Sequence, residues 1–150
     1  MKKINNLTKT VLVVAGSDPS GGAGIQADLK TLTSFGVYGM TAITALTEQN
    51  TNGVSGIYEI PIDFVVKQIN CCLSDINTNA VKIGMLHSEE LIFAVYEVLY
   101  KNKIVANKKI NIVLDPVMVA KGGHKLLKDN AVHALKNFIK KACPIVTPNI

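Results

Sequence analysis

Short apolar runs alternate along this 150-residue chain with segments whose apolar side chains recur every three or four positions. Runs of the first kind indicate buried strands, and segments of the second kind indicate amphipathic helices. Strands that alternate with helices predict an α/β fold, with a mostly parallel sheet flanked by helices. Strands are predicted at residues 10–15, 40–49, 53–60, 80–86 and 110–116, with one more starting at Pro144.

Four helices are predicted in the intervening segments, beginning near Ile25, at Pro61, after Ser88 and at residue 129. Gly36 stops the first helix, and the hydroxyl of Ser88 caps the third. Residues expected on the buried faces are Leu29, Leu32, Phe35, Val65, Ile69, Cys72, Ile76, Ala131, Leu135 and Phe138. Because no repeat, linker or low-complexity tract interrupts the pattern, residues 1–150 are predicted to belong to a single domain.

Composition and charge argue against several classes of protein. The chain is 48% hydrophobic and 18% charged, which is typical of a globular domain. It has no apolar run near the roughly 20 residues of a membrane span, and the apolar stretch after Lys2 and Lys3 is too short for a signal peptide. All 16 basic residues are scattered lysines, and arginine, the preferred reader of guanine, is absent. We therefore expect a cytoplasmic protein without a membrane or nucleic-acid partner.

The cysteines and histidines show no metal-binding pattern. Cys71, Cys72 and Cys143 have no CxxC spacing, so they are predicted to be small buried hydrophobic residues in a reducing compartment. The three histidines are His87, His124 and His133. Their spacing is not that of metal ligands, so surface or turn positions are expected for them. No metal ion is expected to be held directly by the protein.

The segment AGSDPSGGAGIQADLK, residues 15–30, joins the first strand to the first helix. Its glycines are not followed by Lys-Ser or Lys-Thr, which excludes a P-loop. Residues 22–27 fit the dinucleotide pattern GxGxxA, and Glu48 lies roughly where a ribose-binding acid would be expected. The strand is expected to end near Gly16, however, which leaves an extra loop before the first glycine of that pattern. A dinucleotide-binding module therefore stays an alternative.

Polar residues gather where the predicted strands end. Ligands of parallel α/β sheets bind beyond the carboxyl ends of the strands. The residues expected to converge there are Gly16 to Gly24, Gln49, Asn50, Met85, Asp115 to Val117, and Thr147 to Asn149.

Four segments occur in an order that resembles one enzyme family. They are AGSDPSGGAGIQADLKT, ITALTEQNT, VKIGML and VLDPVMVAKGG. Together they closely resemble the hydroxymethylpyrimidine and phosphomethylpyrimidine kinases of thiamine biosynthesis, in the ribokinase-like superfamily. The resemblance extends from about Lys9 to the last residue. Pyridoxal kinases carry a looser version of the first segment, so a pyridoxal kinase-like enzyme is a second alternative.

The resemblance implies ATP-dependent phosphorylation of 4-amino-5-hydroxymethyl-2-methylpyrimidine and its monophosphate, with Mg²⁺ accompanying ATP. Asp28 matches the family aspartate that holds the substrate hydroxyl, and Gln49 matches the residue that reads the pyrimidine edge. Matches to the pocket wall are Gly16, Ala23, Thr47, Met85 and Val117. Asp115 and Asn149 match positions near the phosphates and the metal.

Structural roles are the alternatives for several of these residues. Asp28, predicted in the first turn of its helix, could complement the helix dipole. Asp115 could be a turn residue before Pro116, and Gln49 and Asn50 could be turn formers.

The resemblance also implies that family members are longer and oligomeric. A metal-linked glutamate and a catalytic GTGC-type segment are expected beyond residue 150, so no catalytic residue is assigned here. The chain is expected to contain about half of the fold, as one incomplete domain, and to be impaired or inactive alone. Apolar faces near Val113 and Val146 would then be exposed, and self-association is expected.

Overall fold

The computed structural model describes residues 8–118, 127 and 130–148. Within these residues the elements are β1 (Thr10–Ser17), α1 (Gly24–Ser34), β2 (Tyr38–Asn50), β3 (Gly53–Glu59), α2 (Ile62–Asp75), β4 (Ala80–Ile83), α3 (Glu89–Lys101), β5 (Asn111–Leu114), α4 (Ala131–Ala142) and β6 (Ile145–Val146). The order and type of these elements confirm the α/β prediction.

The described strands form one six-stranded sheet in the order β3-β2-β1-β4-β5-β6. The β1–β2, β1–β4, β4–β5 and β5–β6 pairs are parallel, whereas β3 pairs with β2 in the antiparallel direction. Two residues connect β2 to β3, a length that suits a hairpin but not a parallel crossover. The sheet is therefore mostly parallel, as predicted, with one antiparallel edge.

Alternate side chains of β1 enter two different apolar clusters. Leu12 and Val14 join a large cluster with residues of α2, α3 and α4. Val13 and Ala15 join a small cluster with Ile25 of α1. Because successive strand residues point to opposite faces, α1 covers one face of the sheet and the other three helices cover the opposite face.

The helix ends follow the capping signals in the sequence. Ser88 is the N-cap of α3, and its Oγ accepts a hydrogen bond from Leu91 N at 3.3 Å. Gly36, just beyond α1, has φ of 67°, a left-handed conformation that glycine adopts without steric cost. Phe35, however, is 79% exposed, and the prediction that it is buried was wrong. It follows the last helical residue and lies outside the apolar face.

Two strands are shorter than predicted. The segment predicted at residues 80–86 is paired only to Ile83, and that at 110–116 only to Leu114. Beyond Ile83, Gly84 N donates to Val14 O, and the carbonyl of Met85 accepts from the Thr44 hydroxyl. Residues 84–86 are apolar because they are buried, although they lie beyond the paired part of β4.

Cysteine and histidine positions correct three of the predictions. Cys72 packs against the large cluster, but Cys71 and Cys143 are exposed rather than buried. Cys72 next to Cys71 and Ala142 next to Cys143 pack against the large cluster instead. His133 is exposed as expected, whereas His87 is 4% exposed, with Nδ1 at 3.4 Å from Glu59 Oε1.

The far edge of the sheet carries apolar side chains. Val113 and Val146 are half-buried, and Ile145 of β6 is 57% exposed. Exposure near the predicted positions is thus partial, and self-association stays a prediction.

Among the helices that the structure describes, none is long and apolar enough to span a bilayer. His124 lies outside the described residues.

We predict that Ser88→Ala lowers the free energy of unfolding by about 1 kcal/mol, because the buried N–H of Leu91 loses its side-chain acceptor. Urea denaturation followed by circular dichroism measures the change. Ser74→Ala is the matched control, since the exposed Ser74 hydroxyl donates only to Cys71 O within its own helix. Equal stability of the two variants would contradict the capping role.

Candidate active site

The loop between β1 and α1 is organised by a buried carboxylate, that of Asp18, which is 2% exposed. Its Oδ1 accepts from Ser20 N at 2.8 Å and from Ser20 Oγ at 2.7 Å. Its Oδ2 accepts from Gly22 N at 3.0 Å and from Ala23 N at 2.8 Å. The loop is thus wrapped around one charged group, with its N–H groups pointing inward.

These hydrogen bonds decide the protonation state of Asp18. Burial alone raises the pKa of Asp18, but hydrogen bonds from Ser20, Ala23 and Gly22 together outweigh it and hold the pKa below its usual value. The carboxyl group is therefore ionised in the folded protein at neutral pH.

Gln26 ties the same loop to the helix. Its Oε1 accepts from Asp18 N at 2.9 Å, and its Nε2 donates to Ser17 Oγ at 2.8 Å. Gly24 closes the loop with φ of 55°, and a β-carbon there would overlap the carbonyl oxygen of Gly16. The close approach of Gly24 to the end of β1 therefore requires glycine.

Gly16 and Met85 meet at the carboxyl edge of the sheet. A β-carbon at position 16 would lie 3.1 Å from Met85 Sδ, so the methionine side chain lies against the glycine backbone. Met85 is 6% exposed, and its carbonyl accepts from Thr44 Oγ1 at 2.8 Å. The result is an apolar wall built on backbone and thioether atoms.

Thr47 and Gln49 extend this edge along β2. The Thr47 hydroxyl donates to Ser17 O at 2.8 Å and lies 3.1 Å from Gln49 Oε1. The β2–β3 register shifts between Glu48 and Gln49. The end of β1 therefore holds Thr47, and the amide of Gln49 lies next to the Thr47 hydroxyl.

Glu48 faces a different neighbour. Its Oε2 would lie 2.8 Å from a β-carbon at Gly56, so its carboxylate lies over β3. The strand order equals that of a dinucleotide-binding sheet, but in such a sheet the third strand is parallel, and here β3 is antiparallel. Both observations argue against the dinucleotide interpretation.

Asp28 lies one turn into α1 and pairs with Lys82 of β4. Lys82 Nζ donates to Asp28 Oδ2 at 2.8 Å, and the two side chains are 25% and 21% exposed. The prediction that Asp28 is in the first turn was wrong, since α1 begins at Gly24. Its partner is therefore a lysine of the sheet and not the helix N-terminus.

Asp115 stands directly after β5. Its backbone N donates to Ile83 O at 2.9 Å, and Val117 N donates to Asp115 O at 2.8 Å. Its Oδ1 is buried and accepts no hydrogen bond from the residues that the structure describes. Asn149 lies outside the described residues. Thr147, two positions earlier in the sequence, donates its backbone N–H to Leu114 O.

The contacts join predicted site residues from the ends of β1 and β2, from the segment after β4 and from α1 along one edge. Gly16, Met85, Thr47 and Gln49 are linked directly or through Ser17. Asp28 is linked through Lys82, whose ammonium lies near Gly84 and Ala15. Ala23, on the loop, is exposed, and Val117 is half-buried after β5. The binding roles of these residues stay predictions.

The sequence interpretation included Asp18 only as part of the Gly16–Gly24 segment, without a role of its own, and it missed Gln26 and Lys82. Asp18 stands two residues before a serine, a pattern typical of an Asx turn. Lys82 is a lone charge within an apolar strand, which is unusual on a covered sheet face. Gln26 carries no comparable signal.

A polar cleft of about 400 Å³ lies elsewhere, at the amino ends of β4 and β5. Its lining includes Asn77, Thr78, Asn79, Asn102, Asn107 and Lys109. It lies at the opposite end of the strands from Gly16 and Met85. The candidate site is therefore an open edge rather than this cleft.

Comparisons of the sequence agree on one family. The model of the phosphomethylpyrimidine kinase family matches residues 18–150. The chain is 46% identical over 150 residues to the hydroxymethylpyrimidine/phosphomethylpyrimidine kinase of Escherichia coli, covering 100% of this chain and 53% of that protein. It is 50% identical over 141 residues to the thiamine biosynthesis bifunctional protein of Geobacter sulfurreducens, covering 94% of this chain and 28% of that protein.

Solved structures agree with the sequence matches. The phosphomethylpyrimidine kinase from Clostridium difficile has a TM-score of 0.84 at 45% identity, covering 95% of this chain and 60% of that chain. A pyridoxal kinase of Bacillus subtilis, in an ADP complex, has a TM-score of 0.77 at 33% identity, covering 95% of this chain and 50% of that chain. The expected ribokinase-like fold is confirmed. The chain spans about half the length of the curated pyrimidine kinases it matches.

We predict that Asp18→Asn lowers the free energy of unfolding by about 1–3 kcal/mol at pH 7, because an amide cannot accept from all four donors. The lowered pKa of Asp18 gives this difference a pH dependence. The stabilisation is complete above the unfolded pKa of about 3.9 and is lost as pH falls through the folded pKa.

The difference between parent and variant should therefore shrink as the pH falls below about 5 and through the folded pKa of Asp18. Urea titrations at several pH values measure it. Asp63→Asn is the control, because Asp63 pairs with Lys67 on an exposed helix surface and should change stability little. A pH-independent difference would show that Asp18 does not act through its charge.

Proposed function

The chain belongs to the phosphomethylpyrimidine kinase family, and we propose that it serves in the ATP-dependent phosphorylation of 4-amino-5-hydroxymethyl-2-methylpyrimidine and its monophosphate, in thiamine biosynthesis. The observation that supports this proposal is the edge where Gly16 contacts Met85 and where Thr47, held by Ser17 O, lies 3.1 Å from the amide oxygen of Gln49. This edge lies at the carboxyl ends of parallel strands, where sheets of this class bind ligands.

The chemistry of the edge suits a flat, polar heterocycle. A glutamine amide offers both a donor and an acceptor, which complement an aminopyrimidine edge. The backbone of Gly16 and the thioether of Met85 offer a surface without branched side chains, on which a ring can lie. Ala23, Thr47 and Val117 complete the proposed pocket wall.

The reacting hydroxyl is assigned to Asp28. An ionised carboxylate accepts a hydrogen bond from an alcohol and holds its oxygen in one orientation. Asp28 projects from α1, whose start the Asp18 loop fixes. In this proposal the chain's own residues bind and orient the pyrimidine, and no catalytic residue is assigned within it.

ATP and Mg²⁺ are proposed to bind near Asp115. Its buried Oδ1, which has no protein donor among the described residues, suits a water or cation partner. The described residues hold no cluster of three potential metal ligands. Mg²⁺ is typically bound through one or two carboxylates, waters and phosphates. Bound Mg²⁺ would neutralise phosphate charge, with Asp115 and Asn149 holding its water shell.

We also place the protein in the cytoplasm, without a nucleic-acid partner, as a homo-oligomer whose domain over residues 1–150 is incomplete. Pyridoxal phosphorylation is the second candidate, because pyridoxal kinases share this fold at TM-scores up to 0.77. Pyridoxal also presents a ring with a hydroxymethyl group, so the ring edge read by Gln49 separates the candidates.

We predict that Gln49→Ala weakens binding of hydroxymethylpyrimidine about tenfold or more, because the ring edge loses its hydrogen bonds. Isothermal titration calorimetry measures the affinity. Glu48→Ala is the matched control on the neighbouring residue and should bind like the parent, since Glu48 lies over Gly56.

The same titrations separate the alternatives. Binding of pyridoxal but not of the pyrimidine would identify the pyridoxal kinase-like activity. Binding of NAD that is lost in Glu48→Ala would identify the dinucleotide module. Equal affinities of parent and Gln49→Ala for the pyrimidine would remove Gln49 from the site.

A further inference from the structure

Lys82 occupies an unusual place for a lysine. It lies within β4, in register with Val13 of β1 and Val113 of β5, in the middle of the sheet. Val81 and Ile83 on either side enter the large apolar cluster, so Lys82 faces the α1 side. A charge on a sheet face is retained only where it is paired or has a polar outlet.

The lysine side chain reaches toward the carboxyl edge of the sheet. A β-carbon at Gly84 would lie 3.1 Å from Lys82 Nζ and 3.0 Å from the β-carbon of Ala15. Gly84 thus leaves space for the ammonium beside the residue that precedes Gly16. The charge sits at the candidate site although its backbone is inside the sheet.

The Lys82 side chain is partly exposed, and Asp28 is the ion-pair partner of its ammonium among the described residues. Lys82 is 25% exposed, and its ion pair with Asp28 uses Oδ2 alone. On the other side, Val113 is half-buried and Ile145 in register with it is 57% exposed. Among the described residues, α1 packs on β1 and β2, so Lys82 of β4 lies at the margin of the sheet area that α1 covers.

The two substrates named for the relatives differ at one group. One carries a hydroxymethyl group, and the other carries a phosphomethyl group at the same position. Asp28 can accept a hydrogen bond from the alcohol. A phosphate dianion next to Asp28 would instead be repelled, by like charges at close range. A site that takes both ligands needs a cation that can serve either.

We infer that Lys82 is the residue that allows the site to accept the phosphorylated pyrimidine. This inference rests on the proposed function and adds a specificity-determining residue to it. With the alcohol bound, Lys82 stays paired with Asp28 and orients its free oxygen. With the monophosphate bound, the flexible lysine stem turns the ammonium onto the phosphate oxygens. No covalent step is involved, and the exchange is between two ion pairs.

Calorimetric titration of the chain with each pyrimidine, the alcohol and the monophosphate, tests the inference. Lys82→Met keeps the length of the aliphatic stem and removes the charge. We expect it to weaken monophosphate binding about tenfold or more and alcohol binding less than about threefold. Lys82→Arg should restore monophosphate binding. Thermal melts of each variant report on folding.

Asp28→Asn and the double variant Asp28→Asn/Lys82→Met keep the test valid if Lys82→Met alone fails to fold. Asp28→Asn should weaken alcohol binding and leave monophosphate binding unchanged or stronger, because the repulsion is gone. Adding Lys82→Met to it should then remove monophosphate binding specifically. That double variant contains no unpaired charge from the original ion pair.

The outcomes distinguish this inference from the proposed function. If the parent binds both pyrimidines and Lys82→Met weakens both equally, Lys82 only supports Asp28, and the inference is overturned while the function stands. Unchanged monophosphate binding in Lys82→Met and in Asp28→Asn/Lys82→Met overturns it as well. If the parent binds neither pyrimidine, the proposed function fails and this inference fails with it.

Discussion

The buried carboxylate of Asp18 is the interaction on which the candidate site depends. A charge that is 2% exposed is stable only because four donors surround it, and three of these donors are backbone N–H groups of one short loop. Satisfying the charge therefore fixes the loop backbone. The last of these groups belongs to Ala23, the N-cap of α1, so the same interaction sets where the helix begins.

The contacts between α1 and the sheet depend on where this helix begins. The position of α1 brings Asp28 to Lys82 across the sheet, and Gly24 and Gly84 give the room for these approaches. Gly16 in turn lets Met85 lie against the end of β1. Glycines thus occur where backbone meets a neighbouring group closely, which explains why the β1–α1 connection is rich in them.

The sequence predicted the order of elements well because strand and helix periodicities are local properties. Strand ends were less accurate, since residues 84–86 are buried although they lie beyond the end of β4 at Ile83. The pattern also did not reveal that β3 is antiparallel. The resemblance named Gly16, Gln49, Met85 and Asp28, and the contacts place these residues along one edge. The Lys82–Asp28 pair joins residues 54 positions apart, a separation over which no local pattern carries information.

The unequal covering of the two sheet faces has a consequence for local stability. In the part of the chain that the structure describes, the cluster under α1 contains three buried residues, Val13, Ala15 and Ile25, whereas α2, α3 and α4 share the large cluster. Less buried apolar area holds α1 in place, so its detachment costs less than global unfolding. If α1 alone detached from the sheet, the hydrogen bonds of the Asp18 loop would break and Asp28 would at the same time leave its partner Lys82. A ligand that touches both α1 and the sheet must therefore slow amide hydrogen exchange throughout α1, far beyond the residues it contacts.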